Sequence, residues 1–120
     1  MPDAVAPNLV AAVDAARHWR DMMAMAEIGG FIDEAGHPGV NRPCLSPLDR
    51  QARRLLISWA EKAGLGVSVD RLGNLFLRHE GSAPGLAPVL TGSHMDSQPN
   101  GGRFDGIWGV IAGLEAVRAL

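Results

Sequence analysis

Cysteine is nearly absent from the chain. Cys44 is its one thiol, so neither an internal disulfide framework nor a cysteine-based zinc site can form, and a reducing, cytoplasmic setting is expected. Basic charge is not in excess: 11 Lys and Arg stand against 13 Asp and Glu, a formal net charge of -2. A binder of nucleic acid or of an anionic membrane surface is therefore not expected. Long apolar runs are missing as well. In the first thirty residues none is longer than Leu9 to Val13, with Asp3 before it and Asp14 and Arg17 after it, which predicts neither a signal peptide nor a membrane span. There is no Gly-x-Gly-x-x-Gly or Gly-Lys-Ser/Thr to cradle a phosphate, and no internal repeat. What remains, at 120 residues, is enough for one domain and not for two.

Asn8 is expected to cap a helix running to about Ile28, because Leu9, Val13, Ala16, Arg20, Met23 and Glu27 recur at helical spacing and Gly29-Gly30 ends it. Met22, Met23 and Met25 read as adaptable packing rather than as ligands. From Phe31 to Leu45, turn residues without a sustained period predict a surface loop. Ser46-Pro47-Leu48-Asp49 then offers an N-cap, a proline at the first helical position and an acid at N3. The stripe Ala52, Leu55, Leu56, Trp59, Ala60 and Ala63 continues that helix to Gly64.

Val67 and Val69 alternate with Ser68 and Asp70, while Leu75 and Leu77 alternate with Phe76 and Arg78 beyond Gly73-Asn74, which predicts a β-hairpin. Val89-Leu90-Thr91 reads as a short buried strand. A last helix is expected from about Ile107, with Val110, Ile111, Leu114 and Val117 on its apolar face and Gly106, Gly109 and Gly113 allowing close backbone approach. It meets no stop signal before Leu120, so a truncated product or fragment is expected, with that apolar face uncovered and prone to aggregation.

Chemistry concentrates between the Val89 strand and the last helix, the place where open α/β sheets bind ligands. His94 and Asp96 are two apart, so an extended backbone points both side chains the same way, and the carboxylate can accept from the imidazole nitrogen not facing a metal. Asp105 sits where the helix begins, where helix-end N–H groups can hold it ionised, and its two oxygens can bridge two cations. Local spacing leaves a second reading open, in which His94 and Asp96 share a loop hydrogen bond and Asp105 is an N-cap. His18, His37 and His79 have no partner at ligand spacing, and Cys44 no paired His. Solvated, capping or packing roles are expected for them. Arg53-Arg54 reads as a solvated pair.

The run from Gly92 through Ser93, His94, Met95, Asp96, the Gly101-Gly102-Arg103-Phe104-Asp105-Gly106 stretch and Ile107 to Val110 resembles the signature of metal-dependent amidohydrolases. That family includes N-carbamoyl-L-amino acid hydrolase, allantoate amidohydrolase and β-ureidopropionase. The resemblance continues upstream through Asn41-Arg42, Leu45-Ser46, Asp49, Ala52-Arg53, Ala63-Gly64-Leu65 and Asp70 to Leu75. It implies an α/β fold, the amino-terminal part of a metallohydrolase catalytic domain with a mixed sheet flanked by helices. Residues 1–120 would be a partial, metal-binding catalytic domain ending within a helix.

By the same resemblance His94 ligates one metal ion, Asp105 bridges two, and Asp96 serves catalysis by orienting His94. The implied cofactors are two divalent ions, Zn, Mn, Co or Ni, and the implied reaction is hydrolysis of a non-peptide linear amide C–N bond. The small-molecule substrate would be an N-carbamoyl amino acid or another ureido compound such as allantoate. Family members are typically homodimers. Related aminoacylases and peptidases usually carry an acid directly after the bridging Asp, where this chain has Gly106. The family's general base, one of two adjacent glutamates, and its further His ligands have no counterpart here. Glu80 and Glu115 are the nearest remaining glutamates, and neither has an adjacent acid. The 120 residues alone are therefore expected to be inactive, and a non-catalytic remnant holding at most one weak ion is the alternative.

Overall fold

Two successive N-caps divide the first helix. In the computed structural model, which describes residues 8–120, the Asn8 side chain accepts from the Ala11 N–H at 3.3 Å and starts α1 (Leu9–Ala12). Val13 is extended, and Asp14 then caps α2 (Ala15–Ala26) by accepting from the Arg17 N–H at 2.8 Å. The single helix expected from Asn8 to Ile28 is thus two, because an Asp side chain competes for backbone N–H groups and restarts the helix. The restart also moves the buried stripe. Met22, Met25 and Ala26 face the core, while Arg20 and Glu27 are exposed, so the methionines pack as expected.

The stretch expected to be loop holds a hairpin, β1 (Gly30–Ile32) against β2 (Pro38–Val40). Asp33 closes it by accepting from the Ala35 and His37 N–H groups. Three-residue strands containing Gly and Pro carry no readable period, which hid them. At Gly39 a side chain would strike the Phe31 ring and come 2.9 Å from the Gly101 carbonyl. That close approach lets Val40 pair with Gly101.

α3 (Pro47–Lys62) forms as its signals predict: the Ser46 hydroxyl accepts from the Asp49 N–H at 3.1 Å, and Ala52, Leu56 and Ala60 are buried. Ser46→Ala removes that cap. It is expected to cost about 1 kcal/mol, or roughly 4 °C or more in Tm, read by thermal unfolding. β3 (Gly66–Val69) and β4 (Leu75–Arg78) pair antiparallel as the expected hairpin, with Val67 opposite Leu77 and Val69 opposite Leu75. Asp70 ties their turn by accepting from the Leu72 and Asn74 backbone N–H groups and the Asn74 amide.

Val89-Leu90-Thr91 is not a strand here. Val89 is 98% exposed, and no described strand pairs with it. A buried strand needs ladder partners on its edges, and among the described residues these have none. The chain is α/β as expected, with its sheet part resolved among the described residues into two antiparallel two-stranded ladders rather than one mixed sheet.

α4 (Ile107–Arg118) packs on α2. Met22, Met25, Leu56, Met95, Ile111 and Leu114 meet in one cluster. The apolar face expected to be uncovered is therefore largely covered, with Ile111 and Leu114 buried, and the exposed apolar residues lie off that face, Leu86, Val89, Leu90 and Trp108 among them. Arg17 grips Glu115 with two nitrogens, at 2.6 and 2.8 Å, and Arg118 meets Asp21 at 2.6 Å. No described helix is long and apolar enough to cross a membrane.

Candidate metal centre

Burial of Met95 sets the site. Its side chain enters the core, so the neighbouring His94 and Asp96 are turned away from it, as alternation along an extended chain requires. His94 Nδ1 lies 3.0 Å from the Asp96 backbone oxygen and 3.2 Å from Asp96 Oδ1. Both are acceptors, so Nδ1 carries the proton and donates. In the neutral ring Nε2 is then the lone pair, and it faces Asp105 Oδ2 at 3.6 Å. His94 thus stands between the two acids singled out with it, donating to one and directing an acceptor at the other.

Asp105 does not cap the helix. The N-cap of α4 is Gly106, with φ +69° and no side-chain cap bond, and the Ile107 N–H goes to the Asp105 backbone oxygen at 2.7 Å. Helix-end N–H groups therefore do not hold its carboxylate, contrary to expectation. The left-handed turn at Gly106 leaves that carboxylate three-quarters exposed and toward His94. The bland reading of Asp105 as an N-cap fails with it, while the hydrogen bond between His94 and Asp96 is present.

The glycines of α4 bring the two halves together. A Cβ at Gly106 or Gly109 would clash with His94 or Ser93, and one at Gly113 would press on Thr91 at 3.2 Å, so residues 91–94 run backwards along the helix in close contact with its glycines. A cleft of about 400 Å³ includes His94, Asp96, Leu72, Phe76 and Leu90 in its lining. Among the described residues no third His, Cys, Asp or Glu joins His94 and Asp105 in a group able to hold a metal ion.

Other candidates are accounted for. Glu115 is buried against Arg17, and Glu80 pairs with Arg78. His37 pairs with Asp33, and His18 packs edge-on to Trp108. Cys44 is exposed. One residue that the resemblance included was given no role there: Arg42, 2% exposed, donates to the Met95 carbonyl. A lone arginine in a segment read as loop carries no local signal of burial.

No protein-family model matches the chain. It is 48% identical over 115 residues to the N-carbamoyl-L-amino-acid amidohydrolase of Rhizobium meliloti, which covers 96% of this chain and 27% of that protein. With the ureidoglycolate hydrolase of Oryza sativa subsp. japonica it shares 44% over 94 residues, 78% of this chain and 19% of the relative. A solved hydantoinase/carbamoylase family amidase from Burkholderia ambifaria superimposes with a TM-score of 0.82 at 52% identity, over 90% of this chain and 26% of that one. The chain therefore spans about a quarter of the length of such relatives. Over the stretch compared, it is a homologue of the N-carbamoyl-L-amino-acid amidohydrolases and ureidoglycolate hydrolases, and its backbone superimposes on the matching quarter of a hydantoinase/carbamoylase family amidase.

Proposed function

We propose that His94 and Asp105 hold divalent metal in an amidohydrolase, with Asp96 orienting His94, and that the complete protein hydrolyses a non-peptide linear amide C–N bond. The substrate class is a small ureido compound, an N-carbamoyl amino acid or allantoate. One observation carries this reading: the Nε2 lone pair and an Asp105 oxygen face each other at 3.6 Å. With the ring neutral these are two electron-pair donors, which repel unless a cation lies between them, and the spacing suits two ligands each about 2.0–2.2 Å from a common ion. The relatives' names support the reaction class.

A bound divalent ion would supply hydroxide near neutral pH and polarise the scissile carbonyl. Within this chain Asp96 fixes the imidazole's tautomer by taking the Nδ1 proton's hydrogen bond. Asp105 keeps a second oxygen free, so that it can bridge two ions, Zn, Mn, Co or Ni. Two protein donors are fewer than the three that a catalytic zinc generally takes, so the 120 residues are proposed to be inactive by themselves. Gly106 speaks against a peptidase of the related kind, because an acid there would collide with the His94 ring.

The two-donor count also favours a second reading, a non-catalytic remnant with one weak ion. Titrating ZnCl2 into the chain by calorimetry tests the site: binding is expected in the wild type and absent in His94→Ala, with Asp105→Asn at least about tenfold weaker. Binding indifferent to both substitutions would sink the site. Sequencing the encoding DNA past codon 120 tests the function. An open frame with paired glutamates and further histidines supports the hydrolase; an immediate stop codon supports the remnant.

A further inference from the structure

We infer that Arg42 is a positioning residue that locks the peptide between Met95 and Asp96 and so decides which nitrogen of His94 is presented to a cation. The inference rests on the reading of His94 and Asp105 as a cation-holding pair. Arg42 is 2% exposed, yet among the described residues no carboxylate lies within ion-pair distance of it. Its side-chain hydrogen bonds all go to backbone carbonyls. Nη1 donates to Met25 O at 3.0 Å and to Ile28 O at 2.8 Å, at the C-terminal end of α2. Carbonyls there lack helical partners and favour a cation.

The rest of the fork closes on one atom: Nε and Nη2 each donate to Met95 O at 3.0 Å. The main chain adds two more ties. The Arg42 N–H donates to Ser97 Oγ at 2.8 Å, and the Ser97 N–H donates to Arg42 O at 2.9 Å. Burial pulls the guanidinium's pKa down, and the charges of Asp49 and Asp96 oppose that.

A buried cation bonded in this way has one low-energy orientation, because any movement leaves charge or carbonyls unpaired. Met95 O belongs to the peptide that leads into Asp96. Holding it on one side of Asp96, while the Ser97 N–H bond to Arg42 O holds the peptide that carries the Asp96 carbonyl, fixes the backbone from which that carbonyl and the carboxylate reach His94 Nδ1. Arg42 thereby joins the end of α2 to the site without touching the imidazole.

The test uses metal-free chain at pH about 8.5, two units above the ordinary imidazole value, and reads the His94 tautomer by long-range proton–nitrogen NMR. Wild type is expected to show the Nδ1–H form alone. Arg42→Met is expected to give the tautomer mixture of an untethered ring, with zinc affinity lower by about tenfold or more. Should Arg42→Met not fold, Arg42→Lys decides, since its single ammonium keeps the charge but cannot fork, and a partial shift is expected. Leu56→Ala, a truncation in the same core cluster that takes part in none of the Arg42 hydrogen bonds, is expected to leave the tautomer unchanged.

A folded Arg42 variant that retains only the Nδ1–H form overturns the inference, and so does an equal shift in Leu56→Ala. A wild type that holds the Nδ1–H form, loses it in the Arg42 variants, and takes up no zinc sinks the metal reading alone and leaves Arg42's role standing.

Discussion

Gly106→Ala is expected to dismantle the candidate site. The added Cβ would lie on the His94 ring, 2.5 Å from Nδ1, and the left-handed φ of +69° costs a non-glycine residue about 1–2 kcal/mol. Both effects act at one point, because the same residue ends the loop, starts α4 and seats the imidazole. Imidazole and helix start cannot both keep their places. The ring is expected to be driven off Asp105, abolishing zinc uptake in calorimetry and lowering Tm by several degrees. Gly102→Ala is the control, since nothing lies within 4 Å of a side chain there. Equal zinc affinity in Gly106→Ala and wild type would show that His94 does not bind from the position described.

Loss of the Arg17 side chain is expected to be the most destabilising surface-accessible change. Glu115 is 2% exposed and takes two hydrogen bonds from Arg17, one from the Asp14 N–H, and a longer contact from Arg118 at 3.7 Å. Arg17→Met leaves that carboxylate buried with its main partner gone, at a cost of about 3 kcal/mol, measurable by urea unfolding at pH 7. The Arg17 hydrogen bond, seconded by Asp14 and by the charges of Arg17 and Arg118, holds the Glu115 carboxyl below its usual range against the opposing effect of burial.

The pH dependence follows from that direction. The folded form binds its proton at lower pH than the unfolded chain, whose glutamates titrate near about 4.3. Stability from this group is therefore full above that value and is lost as pH falls through the lower folded one. Asp33 and Asp70, both lowered by turn hydrogen bonds, act in the same window. Glu115→Gln is accordingly expected to flatten part of the acid limb of a stability profile from pH 7 to 3, and an unchanged slope would remove Glu115 from the account.

Legibility followed the range of the interactions. α3 was readable because Ser46, Pro47 and the Ala52–Leu56–Ala60 stripe act within a few residues of one another. The β3–β4 hairpin was readable because Val67 and Val69 alternate and find Leu77 and Leu75 across one turn. The break at Asp14 and the three-residue strands β1 and β2 were not, since a cap competes with helix continuation and short Gly–Pro strands have no period. Val89 to Thr91 failed differently: apolar composition indicated a strand, but strand formation depends on partners that composition does not supply.

By itself the sequence determined the α/β class, the family resemblance, and the pairing of His94 with Asp96, which needs only two residues of extended chain. Tertiary structure alone decided that Asp105 turns to His94 instead of capping α4, because Gly106 adopts a left-handed conformation beneath the imidazole. It alone decided that Glu115 ties α2 to α4 rather than serving chemistry, and that Arg42 lies in the core holding Met95 O. These are contacts between residues 53 to 98 positions apart. No local propensity encodes them, since they form only when the core around Met22, Met25, Met95 and Ile111 closes and leaves each buried charge one place to be satisfied.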